Sequence, residues 1–429
     1  MGEERLDILI LGASGFTGMH CIPYIHKLSN IDGRKITWGV AGRSEEKLQE
    51  TLNKMGTKIG ADLSQITIVV TDINDYDSLL EMAKRAKVVI NCCGPYRFLG
   101  EPVLKACIAA GTHHIDVSGE PQYMEKMQLE QNENAKKKGV YAVSACGFDS
   151  IPSDLGVIFL KKNFDGVLNS VTTYLEGWEE GHSTGPSVNI GTWNSAVHSL
   201  AHWDELKGLR KQLFPKKLPS YTPRLERKIL PHKSNLLDGW ILPFPGSDRS
   251  VMTRTQRYFY ENESKRPIQV NTYFVVKSIF LIILFAIGGA IFSILSKFEC
   301  GRKLLLDYPE LFSLGAFSKK QPSEEKTENT WFQLTLYGEG WSERLENELD
   351  NYTTPCDRSI VGKVKGRNPG YGATCICLVS AAIVVLTESD KMPGEGGVLP
   401  PGAAFANTSL IKLLNENGLT FEIVSQKSI

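Results

Sequence analysis

The chain has 429 residues, 48 of them basic and 48 acidic, for a formal net charge of zero. That balance argues against nucleic acid as the main partner. Apolar residues make up 42% and charged residues 22%, which excludes a long disordered chain or a disulfide-stapled mini-protein. At ~150 residues per domain, the length predicts two or three domains.

The nine cysteines are an odd number with no Cys-x-x-Cys among them. Cys375-x-Cys377 sits in an apolar run without a histidine, so no metal site is predicted. The pattern suits buried thiols in a reducing compartment. The start is not a signal peptide, because a strand begins almost at once. Gly2 is followed by Leu6 where a myristoylation signal wants Ser or Thr.

Residues 6–11 (LDILIL) form a short apolar run, and 36–41, 66–71, 88–91, 114–117 and 140–144 read the same way. Helix-period stretches separate them, among them 44–55, 76–86, 102–110 and 121–138. Alternation of this kind predicts βαβ units and a parallel sheet, and the continuous apolar character predicts a sheet covered on both faces.

The first strand runs into Gly12-Ala13-Ser14-Gly15-Phe16-Thr17-Gly18. Glycines every third residue permit a tight turn and close backbone approach, and the following helix N-terminus offers N–H groups to a phosphate. A dinucleotide site is predicted there. Pro23 falls inside the expected helix and predicts a kink.

The tip of the second strand chooses the dinucleotide. An NAD site usually has Asp or Glu there. This chain has Gly42-Arg43-Ser44, with Arg43 suited to a 2′-phosphate and Ser44 to a supporting hydrogen bond. NADP(H) is therefore favoured over NAD(H), the plain alternative for Arg43 being a solvated surface residue. Further round the sheet, Thr71-Asp72 suits the adenine edge, Asn91 the nicotinamide ribose, and Gly94 shapes the loop after strand four. The catalytic candidates are Tyr96, Asp116 and Glu120, with Arg97 and Ser118 beside them. Asp116 and Glu120 either relay protons or bond loop backbone. Ser150, Ser153 and Asp154 precede an apolar helix and read as capping residues. The one Tyr-x-x-x-Lys pair, Tyr273 with Lys277, lies at the mouth of a hydrophobic stretch and reads as an interface anchor. His113 and His114 read as packing residues.

The alternation stops after residue 160. Strands are expected at 171–175, 254–260, 331–337 and 359–365. Residues 181–191 read as a loop containing His182, 207–231 as a basic, proline-broken exposed segment, and 323–329 as a polar linker. Residues 373–386 read as an apolar helix or buried strand pair, 394–404 as glycine- and proline-rich, and 409–418 as a short helix. The expected organisation is a cofactor domain at 1–160 and a second α+β domain at 161–270 and 330–370. A hydrophobic anchor is expected at 271–303, and a C-terminal segment, 371–429, packing back on the first domain. In fold class this is α/β, a Rossmann-type parallel sheet plus a second sheet domain carrying an inserted hydrophobic segment.

That segment, 278–296, has 19 residues without a charge, ~28 Å as a helix and barely enough to span a bilayer. A transmembrane span, a buried core helix and a monotopic anchor or hairpin all fit its composition. The last is favoured, with Gly288-Gly289 as the turn. Basic residues on both sides place both ends toward the cytoplasm.

Taken together, GASGFTG (12–18), AGRS (41–44), NCCGPY (91–96), IDVSGE (115–120), GFDSIPSDLG (147–156) and GGVLPPGAAF (396–405) resemble the saccharopine dehydrogenase-like oxidoreductases, which include membrane- and lipid-droplet-associated members. The set is also similar to bacterial trans-acting enoyl reductases. The resemblance implies a Rossmann domain followed by an α+β domain of the saccharopine reductase type, and leaves the substrate open. The resulting expectation is an NADP(H)-dependent oxidoreductase acting on a lipid-like substrate at a lipid droplet or the cytoplasmic face of an intracellular membrane. A non-catalytic nucleotide-binding scaffold on lipid droplets and a soluble amino-acid dehydrogenase with a buried helix are the rival readings. A homodimer stays open.

Overall fold

Each apolar run up to residue 143 becomes a strand and each helix-period stretch a helix. The computed structural model describes residues 4–30, 33, 35–181, 188–320 and 323–429; His182 lies outside the described residues. In chain order the elements are β1 (Leu6–Leu11), α1 (Phe16–Leu28), β2 (Trp38–Gly42), α2 (Glu45–Ile59), β3 (Thr67–Val70), α3 (Tyr76–Lys84), β4 (Ala86–Asn91), α4 (Tyr96–Ala110), β5 (His113–Asp116), α5 (Pro121–Lys137), β6 (Tyr141–Val143) and α6 (Ile151–Asn163). There follow β7 (Val167–Glu179), β8 (Val188–Asn189), α7 (Ile190–Ala201), α8 (Glu205–Leu213), β9 (His232–Ser234), β10 (Leu237–Pro243), α9 (Asp248–Glu263), β11 (Gln269–Val276), α10 (Ile279–Ser296), α11 (Glu299–Asp307) and α12 (Pro309–Phe312). The chain closes with β12 (Phe317–Ser318), α13 (Glu324–Asn329), β13 (Thr330–Trp341), β14 (Arg358–Arg367), α14 (Thr374–Thr387), β15 (Gly397–Leu399), α15 (Pro401–Phe405), α16 (Leu410–Glu416) and β16 (Thr420–Ser428).

Two compact units result. The first comprises Met1–Phe148, Tyr371–Leu399 and Asn407–Asn417, and the second Asp149–Gly370, Pro400–Ala406 and Gly418–Ile429. The division falls at Phe148–Asp149 rather than near residue 160, so α6 goes with the second unit.

The first unit is built on a parallel sheet of order β15-β6-β5-β4-β1-β2-β3. The chain winds outward from β1 through β2 to β3, then returns to place β4 on the other side of β1. That reversal makes the carboxyl ends of β1 and β4 the switch point where such sheets bind ligands. Residues of β2 and the inner part of β4 are buried throughout, as their continuous apolar runs require. The seventh strand, β15, gave no period in the sequence because only three residues pair. Gly396 lets it approach: a Cβ there would lie 2.7 Å from the Val140 carbonyl oxygen. Helix α14 resolves the two readings of 373–386 in favour of a buried helix. Helix α1 runs unbroken through Pro23.

The second unit carries a sheet of order β16-β14-β13-β7-β11-β10-β9, mostly antiparallel with one parallel pair, β7 with β11. Residues 254–260 belong to α9, not to a strand. Their aromatics suggest β structure, yet Val251, Thr255 and Phe259 are buried at four-residue spacing, the inward face of a helix. Residues 323–329 are not a linker. Ser323 accepts from the Lys326 N–H and caps α13.

Two helical stretches, Ile279–Ser296 and Pro369–Thr387, are long and apolar enough to cross a membrane. Only 11% of the first is buried, against 83% of the second. Residues 278–296 are therefore not a core helix. Nor do they turn at Gly288-Gly289: α10 is continuous across both glycines, because a helix keeps every interior backbone group bonded where no polar side chains are at hand to satisfy a turn.

Candidate functional site

The glycine loop sits at the switch point of the first unit. Gly12 has φ +81°, and its N–H donates to the Ala41 carbonyl at 2.9 Å. A Cβ on Gly12 would stand 2.6 Å from Cys93 Sγ, and one on Gly18 would stand 2.4 Å from the Gly12 carbonyl oxygen. Neither position tolerates a side chain, so the turn stays tight and backbone lines it. Ser14 and Gly15 at the crest are exposed.

Helix ends within this one sheet differ in a telling way. Helix α2 is capped by Ser44 and carries Glu45 and Glu46 in its first turn. Asp75 caps α3. The start of α4 is occupied by Glu120, whose two carboxylate oxygens accept from the N–H groups of Tyr96 at 2.9 Å and Arg97 at 2.8 Å. Helix α1 has neither a side-chain cap nor an acid in its first turn. An uncapped helix start after a glycine turn, with no carboxylate of its own, is the arrangement that receives a phosphate.

Arg43 is exposed at the tip of β2, and its charge reaches Cys93 beside Gly12. Burial pushes the Cys93 thiol up to about 12, partly opposed by Arg43. Ser44 Oγ accepts from the Lys47 N–H at 3.3 Å, which leaves its own hydroxyl hydrogen available. Asp72 accepts from the backbone and side-chain N–H groups of Asn74 at 3.0 and 3.1 Å, so it closes its own turn.

The residues beyond the β4 switch form one buried network. Asn91 is fully buried, with Oδ1 accepting from the Cys93 N–H at 3.0 Å and Nδ2 3.5 Å from His114 Nε2. The Tyr96 hydroxyl donates to the Asn91 carbonyl at 2.8 Å. Asp116 Oδ1 accepts from the N–H groups of Ser118 and Ala145, and Oδ2 from the hydroxyls of Ser144 and Tyr123. Burial pushes the Asp116 carboxyl up to about 6 against these bonds. Burial also pushes His114 down to about 3, so its 3.8 Å approach to Asp116 joins a neutral ring to the carboxyl and is no ion pair. The Glu120 N–H donates to Ser118 Oγ at 3.2 Å. Tyr96, Asp116 and Glu120 are thus brought together, and these bonds tie all three to loop backbone or neighbouring hydroxyls.

Residues 147–154, read as one loop, divide between the units. Ser153 and Asp154 do not cap α6. Ser153 donates to Asp248, while Asp154 accepts from the Thr255 hydroxyl at 2.7 Å and the Gly402 N–H at 2.6 Å. Burial raises Asp154 to about 6, and burial together with the charges of Asp149 and Asp154 raises Asp248 further above the carboxylate range. Sequence reasoning also passed over the support beneath the glycine loop. Cys375 of α14 donates to the Thr17 carbonyl, and Tyr371 packs edge-on against Phe16 with ring centroids 4.3 Å apart. No local signal links positions over 350 residues apart. Among the described residues no group of His, Cys, Asp or Glu is placed to hold a metal.

Comparison with known proteins agrees with this geometry. The family described as Saccharopine dehydrogenase NADP binding domain matches residues 8–143. A human Saccharopine dehydrogenase-like oxidoreductase is 40% identical over 100% of this chain and 99% of its own. This chain belongs to the saccharopine dehydrogenase-like oxidoreductase family. Its first unit is accordingly a nicotinamide dinucleotide-binding domain. A Caenorhabditis elegans relative named Lipid droplet localized protein is 38% identical over 99% of both chains. A putative trans-acting enoyl reductase of Mycobacterium tuberculosis is 25% identical over 96% of each. Among solved structures, yeast saccharopine dehydrogenase (L-Glu forming) shares the fold, with a TM-score of 0.55 at 15% identity over 98% of this chain and 100% of that one.

Proposed function

We propose that this chain is an NADP(H)-dependent oxidoreductase that acts on an apolar, lipid-like substrate at a phospholipid surface. The observation that carries the cofactor choice is the tip of β2, where an exposed guanidinium stands beside the glycine loop and no carboxylate occupies the place that would hold a ribose 2′-OH. The family's NADP-binding description supports it. The residues fit the group: Gly12, Ala13, Ser14, Gly15, Phe16, Thr17 and Gly18 would cradle the pyrophosphate, and Arg43 with Ser44 would take the 2′-phosphate. When bound, the nicotinamide supplies the hydride. Tyr96, Asp116 and Glu120 enter this reading as the frame of the nicotinamide half, with Asp116 its member that titrates near neutrality.

Fluorescence titration tests the cofactor. Arg43→Ala is expected to weaken NADPH binding about 10- to 100-fold, the loss of a charge-assisted pair, and to leave NADH within about threefold. Equal losses for both dinucleotides would refute the 2′-phosphate role.

The lipid surface is supported by the exposure of α10, where Phe280 is 80% exposed, and by the name of the nematode relative, Lipid droplet localized protein. Single exposed apolar residues are ordinary, but an uncharged 18-residue helix open over most of its surface is not. Purified protein is expected to float with phosphatidylcholine vesicles in a density gradient, and NADPH oxidation to follow added lipid carbonyl or enoyl substrates. Flotation without turnover across such substrates would favour the scaffold reading.

A further inference from the structure

Helix α10 touches its own unit at both ends. Near its start Ile282 is buried, and Phe285 packs edge-on against Phe274 of β11 with centroids 6.1 Å apart. Near its end Phe292 meets Trp193 of α7 at 4.9 Å, and Leu295 joins the cluster of Trp193, Val197 and Leu305. Residues 282, 285, 292 and 295 share one face at helical spacing. The start of α11 is clamped to the same end: Arg302 Nη1 donates to the Ser296 carbonyl at 3.1 Å, and a Cβ on Gly301 would stand 2.3 Å from the Leu295 oxygen. Contacts near its two ends therefore hold α10 to the rest of the second unit, while a Cβ on Gly288 or Gly289 at its middle would meet nothing within 4 Å, and the face with Phe280, Ile283 and Ile287 is open.

A spanning helix needs ~20 apolar residues and lipid around its middle, with its two ends on opposite sides. Here both ends rest on one folded unit, and the helix is ~27 Å long. Beyond it the exposed apolar surface continues onto α11, α12 and the next turn, through Phe298, Leu304, Tyr308, Leu311 and Leu314, the last two 70% and 63% exposed. Lys277, Lys297 and Lys303 stand exposed at the margins, placed for phosphate headgroups. A protein partner's groove would cover one stripe of a helix, whereas hydrocarbon covers any open face.

We infer that α10 and the α11–α12 arm form a monotopic platform that lies in the plane of a single phospholipid leaflet, with α10 parallel to the surface. This rests on the lipid-surface reading above and fixes its geometry. Because only one leaflet is needed, a bilayer and a monolayer over an oil core serve alike.

Phe280 and Ile287 are seven residues apart, on the same open face and ~10 Å apart along the axis. Phe280→Trp and Ile287→Trp are compared with the parent protein on phosphatidylcholine vesicles brominated at shallow or deep acyl positions. In-plane binding gives both new tryptophans the same depth. In parallel, Leu311→Glu with Leu314→Glu, both exposed, is expected to lower vesicle partition about tenfold while NADPH affinity and melting temperature hold. A markedly deeper Ile287→Trp, or partition unaffected by the double variant, would overturn the platform but leave the lipid-surface reading standing. Parent protein that does not float, and sediments as a dimer through α10, would overturn both and make a second copy the occupant.

Discussion

Gly18→Ala is expected to lose measurable NADPH binding, at least about 100-fold, while the chain still folds. The added methyl group would stand 2.4 Å from the Gly12 carbonyl oxygen and 2.8 Å from the Ala13 Cα. Both are backbone atoms, so no rotamer change relieves the contact. The loop cannot shift cheaply, since Gly12 N–H is bonded to Ala41 and Gly15 N–H to Gly12 at 2.9 Å each. Relief must come from moving the turn away from α1, which carries the phosphate-facing N–H groups with it. Overpacking of this kind costs about 1–3 kcal/mol of stability. Gly208→Ala in α8 is the control, because a methyl group there meets nothing within 4 Å and a helical alanine gains up to about 1 kcal/mol. Calorimetric titration with NADPH and a melting curve separate the two effects. NADPH binding by Gly18→Ala within threefold of the parent would remove the glycine turn as the cofactor site.

Legibility in the sequence followed the range over which each signal acts. The strands of the first unit announce themselves because both sheet faces are covered, so each is a run of consecutive apolar residues ending in glycine or a small polar group. Strand β16 does not: it sits at a sheet edge, most of its residues are exposed, and Thr420–Ser428 shows no apolar run. Helix α9 was hidden by its aromatics, whose burial at helical spacing depends on what the helix packs against. At the site, the glycine turn and Arg43 are local patterns and were readable. The bonds that the first N–H groups of α4 donate to Glu120 are not, because they join positions 24 and 23 apart across two loops. The available hint was negative: α4 begins with no acid and no capping side chain, so its first donors need an acceptor from elsewhere. The exposure of α10 was equally beyond composition, since Pro369–Thr387, the stretch that contains α14, is also long and apolar enough to cross a membrane and is 83% buried.

The Asp116 network gives the largest expected effect on stability, and its pH dependence carries a definite sign. Asp116→Ala strands four donors, the N–H groups of Ser118 and Ala145 and the hydroxyls of Ser144 and Tyr123. At ~1 kcal/mol or more for each unsatisfied group, the loss is on the order of 4 kcal/mol, or ~10 °C in Tm for a domain of this size. Asp116→Asn behaves differently. Its Oδ1 keeps the two N–H bonds, and the two hydroxyls turn to accept from Nδ2. What it removes is the charge. The native carboxyl is raised from 3.8 to about 6, so the folded state holds its proton more tightly than the unfolded chain. Its contribution is full below pH ~4 and is lost as pH rises through ~6, a swing of about 3 kcal/mol. Asp154 titrates in the same window, so the readout is the difference between parent and variant. Asp116→Asn is expected to melt at or above the parent at pH 7.5 and below it at pH 4.5. A difference that stays flat over that range would mean the carboxyl is not held protonated by burial, and an Asp116→Ala protein melting within about 3 °C of the parent would mean the loops after β5 and β6 do not depend on it.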